Sequence, residues 1–235
     1  MKDTITIFTD GAAKGNPGRG GYGVVISYAD KVVERGGHKA RTTNNEMELM
    51  AVVEALKVVA TDGIPVAIYT DSKYVVEGAT GWIFGWQKNG WKTKADTDVI
   101  NKALWQELIP LLKKVSIDWH KVPGHVGIAG NERVDTIAST FAEKGTYELY
   151  DGPKSNYGFN VEDTSYDEAK AKDRSDARKR SAQKAFSYIS AVDGVVQVHQ
   201  TWAECEKRVK GKKGVRFKKS LDKGNEGEIM REFGG

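Results

Sequence analysis

The sequence has almost none of the residues that build disulfide frameworks, and none of the long apolar runs that span membranes. Cys205 is the one cysteine among 235 residues, so neither an intrachain disulfide nor a cysteine-ligated zinc site can form within the chain. No stretch approaches the ~18 apolar residues of a membrane span. The first residues also lack the long apolar region of a signal peptide. We therefore expect a cytoplasmic protein without a membrane partner.

The composition supports a packed core and a mild preference for anionic partners. Hydrophobic residues make up 39 % of the chain, and the formal net charge is +4. A small positive excess is compatible with a nucleic-acid partner, although it does not establish one. The length fits one medium domain followed by a smaller one.

The hydrophobic pattern predicts an α/β domain over residues 1–146. Three strands in an antiparallel meander are followed by a helix whose N-cap is Thr43 or Asn44. A short apolar strand, three helices, another strand and a final helix complete the order βββαβαααβα. This order predicts a mixed sheet with helices on its faces.

The character of the chain changes after residue 146. Residues 147–184 carry many charges and few aliphatic side chains, which predicts a charged linker with a solvated helix near 165–184. Alternating apolar residues return from residue 185. Two short strands, a helix and a third strand predict a small α+β domain over 185–235.

Acidic residues stand where two strands end. "FTDG" places Asp10, and "YTDS" places Asp71, at the carboxyl end of a strand, which is where α/β sheets bind ligands. Neighbouring carboxylates repel each other, and this repulsion raises a pKa or requires a cation. Glu48 lies on an apolar helix stripe and could be a third ligand, and Asp135 on the last helix could be a fourth. Such oxygen ligands suit Mg²⁺, which would explain why a charge faces the core.

Four segments in this order resemble type 1 ribonuclease H: "FTDGAAKGNPGRGGYG", "TTNNEMELMA", "YTDSKYV" and "VPGHVGIAGNERVD". The resemblance implies the ribonuclease H fold, a five-stranded mixed sheet flanked by helices. It also implies endonucleolytic hydrolysis of the RNA strand of RNA–DNA hybrids, which leaves 5′-phosphate and 3′-hydroxyl ends. Two Mg²⁺ ions about 4 Å apart, replaceable by Mn²⁺, would be bound in the family's site. The family's catalytic, metal-binding carboxylates fall on Asp10, Glu48, Asp71 and Asp135.

The resemblance also implies roles for residues around this site. His125, in "PGHVGIAGN", matches a loop histidine that assists proton transfer or product release. Contacts to the hybrid distinguish RNA from DNA through the 2′-hydroxyl. The residues that match substrate-contacting positions are Asn16, Thr43, Asn44, Asn45 and Lys73.

The C-terminal region contains a basic run. Residues 207–219, "KRVKGKKGVRFKK", include eight basic residues and no acidic one, and aromatic residues accompany them. This pattern is typical of nucleic-acid binding. The region is similar to the hybrid-binding (viroplasmin-like) domain of many ribonucleases H, although that domain usually lies at the N-terminus. The matching residues, which imply stacking on DNA sugars and phosphate contacts, are Tyr188, Trp202, Phe217, Lys218 and Lys219.

Two alternatives share the same fold. A non-catalytic protein that binds RNA–DNA hybrids or double-stranded RNA would gain nothing from negative charges clustered beside a phosphate backbone. The position of Glu48, on the helix before the second acidic strand, speaks against a transposase- or integrase-like nuclease. We therefore predict a monomeric enzyme whose partner is an RNA–DNA hybrid.

Overall fold

The chain divides into two units, Met1–Ala171 and Lys172–Gly235. The division falls inside the segment that the sequence predicted to be a linker. Much of the solvated helix predicted near 165–184 lies outside the described residues. The computed structural model of the protein describes residues 4–169, 171–173, 176 and 183–234.

A mixed β-sheet forms the centre of the first unit. Its strands are β1 (Ile5–Gly15), β2 (Gly18–Ser27), β3 (Lys31–Thr42), β4 (Val66–Thr70), β5 (Ile117–Lys121) and β6 (Asp151–Pro153). The order across the sheet is β5-β4-β1-β2-β3-β6. β1, β4 and β5 are parallel, and β2, β3 and β6 extend the sheet in antiparallel pairs. This arrangement confirms the predicted meander and mixed sheet.

Helices cover both faces of this sheet. They are α1 (Asn44–Val59), α2 (Lys73–Glu77), a π-helical turn (Gly78–Trp82), α3 (Ile83–Lys88), α4 (Lys102–Leu112) and α5 (Ala129–Lys144). The predicted start of α1 is confirmed, because Thr43 Oγ1 accepts a hydrogen bond from the Glu46 N–H. α5 ends at Lys144, and the Gly145 that follows has a left-handed φ of 76°.

Two hydrophobic cores lie on opposite faces of the sheet. Alternate residues of β1 face opposite sides, so that Ile7 enters the first core and Phe8 the second. The first core packs α1 and α4 against the sheet, and Trp105 is fully buried there. The second core packs α5 against the other face. The two helices that carry Glu48 and Asp135 are thus anchored on opposite sides of β1.

The predicted number of five strands is wrong, because β6 adds a sixth. Asp151–Pro153 pairs antiparallel with residues 31–33 of β3. The linker prediction also fails for residues 147–171, which belong to the first unit. That prediction counted aliphatic residues, whereas aromatic side chains supply most of the apolar surface here. The residues of this segment in the second core are Tyr147, Leu149, Tyr150, Tyr157, Phe159, Val161 and Ala171.

The second unit contains a small antiparallel sheet between two helices. Its elements are β7 (Ser187–Val192), β8 (Val195–His199), α6 (Trp202–Val209), β9 (Arg216–Ser220) and α7 (Lys223–Gly234). Ile189 packs with residues of α7, whereas Val192 packs with residues of α6, so the helices cover opposite faces. The predicted small α+β fold is confirmed, and α7 is an additional element. Within the described part of the chain, every helix is too short or too polar to cross a membrane.

Candidate active site

Two neighbouring strands and one helix bring three carboxylates together. Asp71 directly follows β4, as predicted, but the prediction that Asp10 ends its strand is wrong. β1 continues to Gly15 in its pairing with β2, and Asp10 lies just beyond the part of β1 that pairs with the parallel neighbour β4. Glu48 comes from α1, whose backbone approaches β1 so closely that a Cβ on residue 11 would lie 2.1 Å from the Glu48 nitrogen. Gly11 is therefore required for this approach. Carboxylate oxygens of the three acidic residues lie within 4.8 Å of one another.

The electrostatics of this cluster favour protonation of Asp10. Burial, and then repulsion from Asp71, raise the pKa of Asp10 to about 8. The Gly11 N–H, which donates to Asp10 Oδ1 at 2.7 Å, opposes this effect. Asp135 and Glu48 add further repulsion. The protein itself therefore does not supply enough positive charge to keep all of these carboxylates ionised near neutral pH.

Neutral hydrogen-bond donors hold the Glu48 carboxylate in place. Ser72 Oγ donates to Oε2 at 2.5 Å, and Asn44 Nδ2 donates to Oε1 at 2.9 Å. Burial raises the pKa of Glu48 and outweighs these two hydrogen bonds, while Asp71 raises it further. The sequence analysis considered Asn44 as a helix cap or a substrate contact, not as a donor to Glu48, and missed Ser72. The hydroxyl directly after Asp71 in "YTDS" was the available signal.

Asp135 and His125 lie beside the three-carboxylate cluster. Asp135, on α5, is not among the three residues whose oxygens lie within 4.8 Å, but it is near enough to raise the pKa of Asp10. His125 Nδ1 lies 3.5 Å from Asp135 Oδ2. The structure thus places three of the predicted metal ligands in one cluster, the fourth next to it, and the predicted histidine next to the fourth.

The residues predicted to contact substrate lie mostly around the start of α1. Asn44 N donates to Asn16 Oδ1 at 3.3 Å, which connects the β1–β2 turn with the helix. Thr43 caps the helix, and Asn45 is exposed in its first turn. Lys73 is exposed in α2, and its Nζ lies 3.4 Å from Glu77 Oε1. Polar groups for a ligand are therefore concentrated beside Glu48.

An aromatic row lies on one face of the second unit. Ring centroids are 5.6 Å apart between Tyr188 and Trp202, and 5.4 Å apart between Trp202 and Phe217. Trp202 is 40 % exposed and Phe217 is 49 % exposed, which is unusual for such large apolar rings. Lys219 is opposite Tyr188 in the β7–β9 register and shares this face.

Lys218 is separated from the aromatic row. Alternate residues of a strand point to opposite faces, so Lys218 faces α7 rather than the three rings. Its Nζ lies 2.6 Å from Glu232 Oε1. The structure thus groups four of the five residues predicted to bind hybrid in this unit and places the fifth on the opposite face.

Comparison with known proteins places the first unit in a family. The RNase H family model matches residues 2–143. The protein belongs to the RNase H family. Over 134 residues it is 50 % identical to ribonuclease H of Bradyrhizobium sp. (strain ORS 278). The matched region covers 57 % of this chain and 86 % of that relative. Ribonuclease H of Thermosynechococcus vestitus is 53 % identical over 141 residues. That match covers 59 % of this chain and 88 % of the relative.

A solved structure shares the same fold. LC9-RNase H1, described as a type 1 RNase H with the type 2 active-site motif, is 31 % identical and superposes with a TM-score of 0.59. The match covers 68 % of this chain and 83 % of that one. The family match ends at residue 143, before β6 begins.

Proposed function

We propose that this protein is a metal-dependent endonuclease that hydrolyses the RNA strand of RNA–DNA hybrids and leaves 5′-phosphate and 3′-hydroxyl ends. The observation that carries the proposal is the close cluster of Asp10, Glu48 and Asp71 in a chain of the RNase H family. Relatives about 50 % identical, which the chain covers almost completely, are named ribonuclease H.

The donor set fits a hard divalent cation. Carboxylate oxygens are the ligands that Mg²⁺ prefers. Burial, and then repulsion from Asp71, raise the pKa of Asp10, and a bound cation would offset both effects. When bound, such ions supply Lewis-acid stabilisation of the charge that develops on a phosphodiester. We assign two Mg²⁺ ions, with Mn²⁺ as a substitute, and the residues that would hold them are Asp10, Glu48, Asp71 and Asp135.

We assign proton transfer to His125. Asp135 faces its Nδ1 and orients the imidazole, so Nε2 is the atom that would exchange a proton with the substrate or solvent. Histidine is the side chain whose ordinary pKa suits this role near neutral pH.

We assign binding of the RNA–DNA hybrid to the polar groups around α1 and α2. Hydrogen bonds at this surface would read the 2′-hydroxyl that distinguishes the RNA strand. Asn44 would connect binding with catalysis, because its side chain also holds Glu48. The residues of this surface are Asn16, Thr43, Asn44, Asn45 and Lys73.

We also propose that the second unit binds hybrid. Exposed aromatic rings offer stacking surfaces, and Lys219 offers a charge on the same face. Lys218 would contribute only after leaving Glu232. The monomeric state and the cytoplasmic location stay predictions from the sequence.

Cleavage of end-labelled duplexes tests the proposal. RNA–DNA, RNA–RNA and DNA–DNA duplexes of one sequence are incubated with the protein in Mg²⁺ or in EDTA. We expect cuts in the RNA strand of the hybrid only, with 5′-phosphate ends, and only in Mg²⁺. Binding of the hybrid without cleavage would favour the non-catalytic alternative, and cleavage of DNA would favour an integrase-like nuclease.

A further inference from the structure

Residues 147–171, here called the strap, complete the surroundings of a buried carboxylate. Glu34 in β3 is fully buried, and Arg133 of α5 donates to its two oxygens at 2.6 and 2.8 Å. The strap adds two donors, the Tyr150 N–H at 3.0 Å and the Tyr157 hydroxyl at 2.5 Å. The strap is therefore attached both to the sheet and to the helix that carries Asp135.

The strap also contributes to the second hydrophobic core, which contains residues of the loop that carries His125. Val161 is fully buried in the same cluster as Val126, Ile128 and Val134. Val126 and Ile128 belong to this loop, residues 122–128. Val161 therefore makes its buried contacts in a core that the strap and the loop share, and this core restrains both segments.

A backbone hydrogen bond connects the strap directly to the residue after His125. The Asp167 N–H donates to the Val126 carbonyl oxygen at 3.2 Å. His125 itself has a φ of 52°, a left-handed conformation that a non-glycine residue keeps only where its surroundings impose it. Gly127, the residue after Val126, is held from α5, because its N–H donates to Glu132 Oε1 at 2.9 Å. The loop is therefore held from α5 and from the strap.

We propose that the strap is a positioning element for His125, so that the working catalytic unit ends near residue 171 and not where the family match ends. Without the strap, the loop would sample more conformations and His125 would lie beside Asp135 less often. Hybrid affinity should change little, because none of the proposed binding residues belongs to the strap. The effect on rate rests on the proposed function, whereas the restraint of the loop does not.

Hydrogen exchange tests the restraint without any substrate. Val161→Ala removes the buried contact, and Val195→Ala makes the same change at a valine that is 60 % exposed in β8. Tyr157→Phe removes one hydrogen bond to Glu34 at nearly constant volume. We expect backbone amides of residues 124–128 to exchange roughly ten-fold faster in Val161→Ala and faster in Tyr157→Phe, but unchanged in Val195→Ala. Unchanged exchange in folded Val161→Ala and Tyr157→Phe would overturn the proposal.

A double-mutant cycle tests whether the effect on rate passes through His125. At saturating hybrid, we expect Val161→Ala to lower kcat roughly ten-fold with little change in KM. In a His125→Ala background, the same change should lower kcat no further. An equal loss in both backgrounds would overturn the positioning role, because a general structural defect does not depend on His125. If wild-type protein cleaves no hybrid, the proposed function fails, and hydrogen exchange still decides whether the strap restrains the loop.

Discussion

Glu34 and Glu48 are two inward-facing glutamates of the same unit with opposite electrostatics. Burial raises the pKa of Glu34, but hydrogen bonds from Arg133 and Tyr157 outweigh it, and the net pKa is lowered. Burial also raises the pKa of Glu48, where hydrogen bonds from uncharged donors are too weak to reverse it. The first carboxylate has a cation from the protein, and the second faces other carboxylates.

The difference separates a structural carboxylate from a functional one. A buried charge costs several kcal/mol unless a partner compensates it. The region around Glu34 is compensated internally and connects three segments of the chain. The region around Glu48 leaves negative charge uncompensated, as expected where an external divalent cation binds. The changes below test this distinction, from the largest expected effect to the smallest.

Asp10→Asn should remove most of the catalytic activity that we assign to the carboxylate cluster. We expect hybrid cleavage to fall on the order of 10³-fold or more, because charge stabilisation of the transition state is lost. Hybrid affinity should stay nearly unchanged, since the proposed binding groups remain. Single-turnover cleavage and a binding titration in Ca²⁺ or EDTA measure the two quantities. Strong Mg²⁺-dependent turnover by the purified variant would contradict the assignment.

The same variant should gain stability in a pH-dependent way. The folded-state pKa of Asp10, about 8, is raised above the ordinary value of 3.8, so deprotonation destabilises the metal-free fold as pH rises between these values. In EDTA, Asp10→Asn should therefore raise Tm more at about pH 8 than at about pH 4. Saturating Mg²⁺ should reduce this advantage. An equal gain at both pH values would argue against charge repulsion.

His125→Ala should slow turnover without abolishing it. General acid–base assistance contributes typically ~10²–10⁴-fold, and we expect a loss near the lower end because the carboxylates stay intact. The measurement is kcat at saturating hybrid beside that of Asp10→Asn. A variant as inactive as Asp10→Asn would show that His125 is a ligand or a structural residue.

Glu34→Gln should lower the stability of the fold, and the loss should be larger at neutral pH than at low pH. Loss of one partner of a buried pair leaves Arg133 uncompensated, and we expect roughly 3 kcal/mol of lost stability because Arg133 stays partly exposed. The lowered pKa means that wild-type Glu34 stabilises the fold above about pH 4.5 and loses this contribution as pH falls through the folded-state value.

Chemical denaturation at several pH values measures this difference. Glu143→Gln, at an exposed position of α5, is the matched control and should change stability little. A loss for Glu34→Gln that is the same at low and neutral pH would show that the carboxylate charge is not what stabilises this region.

The second unit should show the smallest effects, on affinity alone. Trp202→Ala should weaken hybrid binding by about 1–3 kcal/mol if stacking values for single strands apply. Lys219→Ala should weaken it further in a salt-dependent way, and by more than Lys218→Ala, because Lys218 lies on the opposite face and must first leave Glu232. Titrations at two salt concentrations measure both effects. Equal losses for the two lysines would contradict the grouping seen in the structure.

The sequence was sufficient to predict five of the six strands of the sheet, the N-cap of α1 and the grouping of Asp10, Glu48 and Asp71, because strand alternation and helix starts are local signals. It did not predict the strap, because that segment has few aliphatic residues and precedes a highly charged stretch. Its tyrosines bury their rings while their hydroxyl or backbone groups reach Glu34. The pairing of Glu34 with Arg133 was also invisible, since 99 positions separate them. Contacts of this kind depend on the tertiary fold and leave no periodic pattern.

Calorimetric titration with Mg²⁺ at about pH 7, in buffers of different ionisation enthalpy, tests most directly whether the uncompensated carboxylates bind a cation. We predict that wild-type protein binds Mg²⁺ and releases protons, because the raised pKa keeps Asp10 largely protonated before binding. Glu34→Gln should bind similarly under conditions where it is folded, and Asp10→Asn should bind weakly and release fewer protons. Equal affinity and equal proton release in wild-type protein and Asp10→Asn would contradict the assignment of this cluster as the metal site.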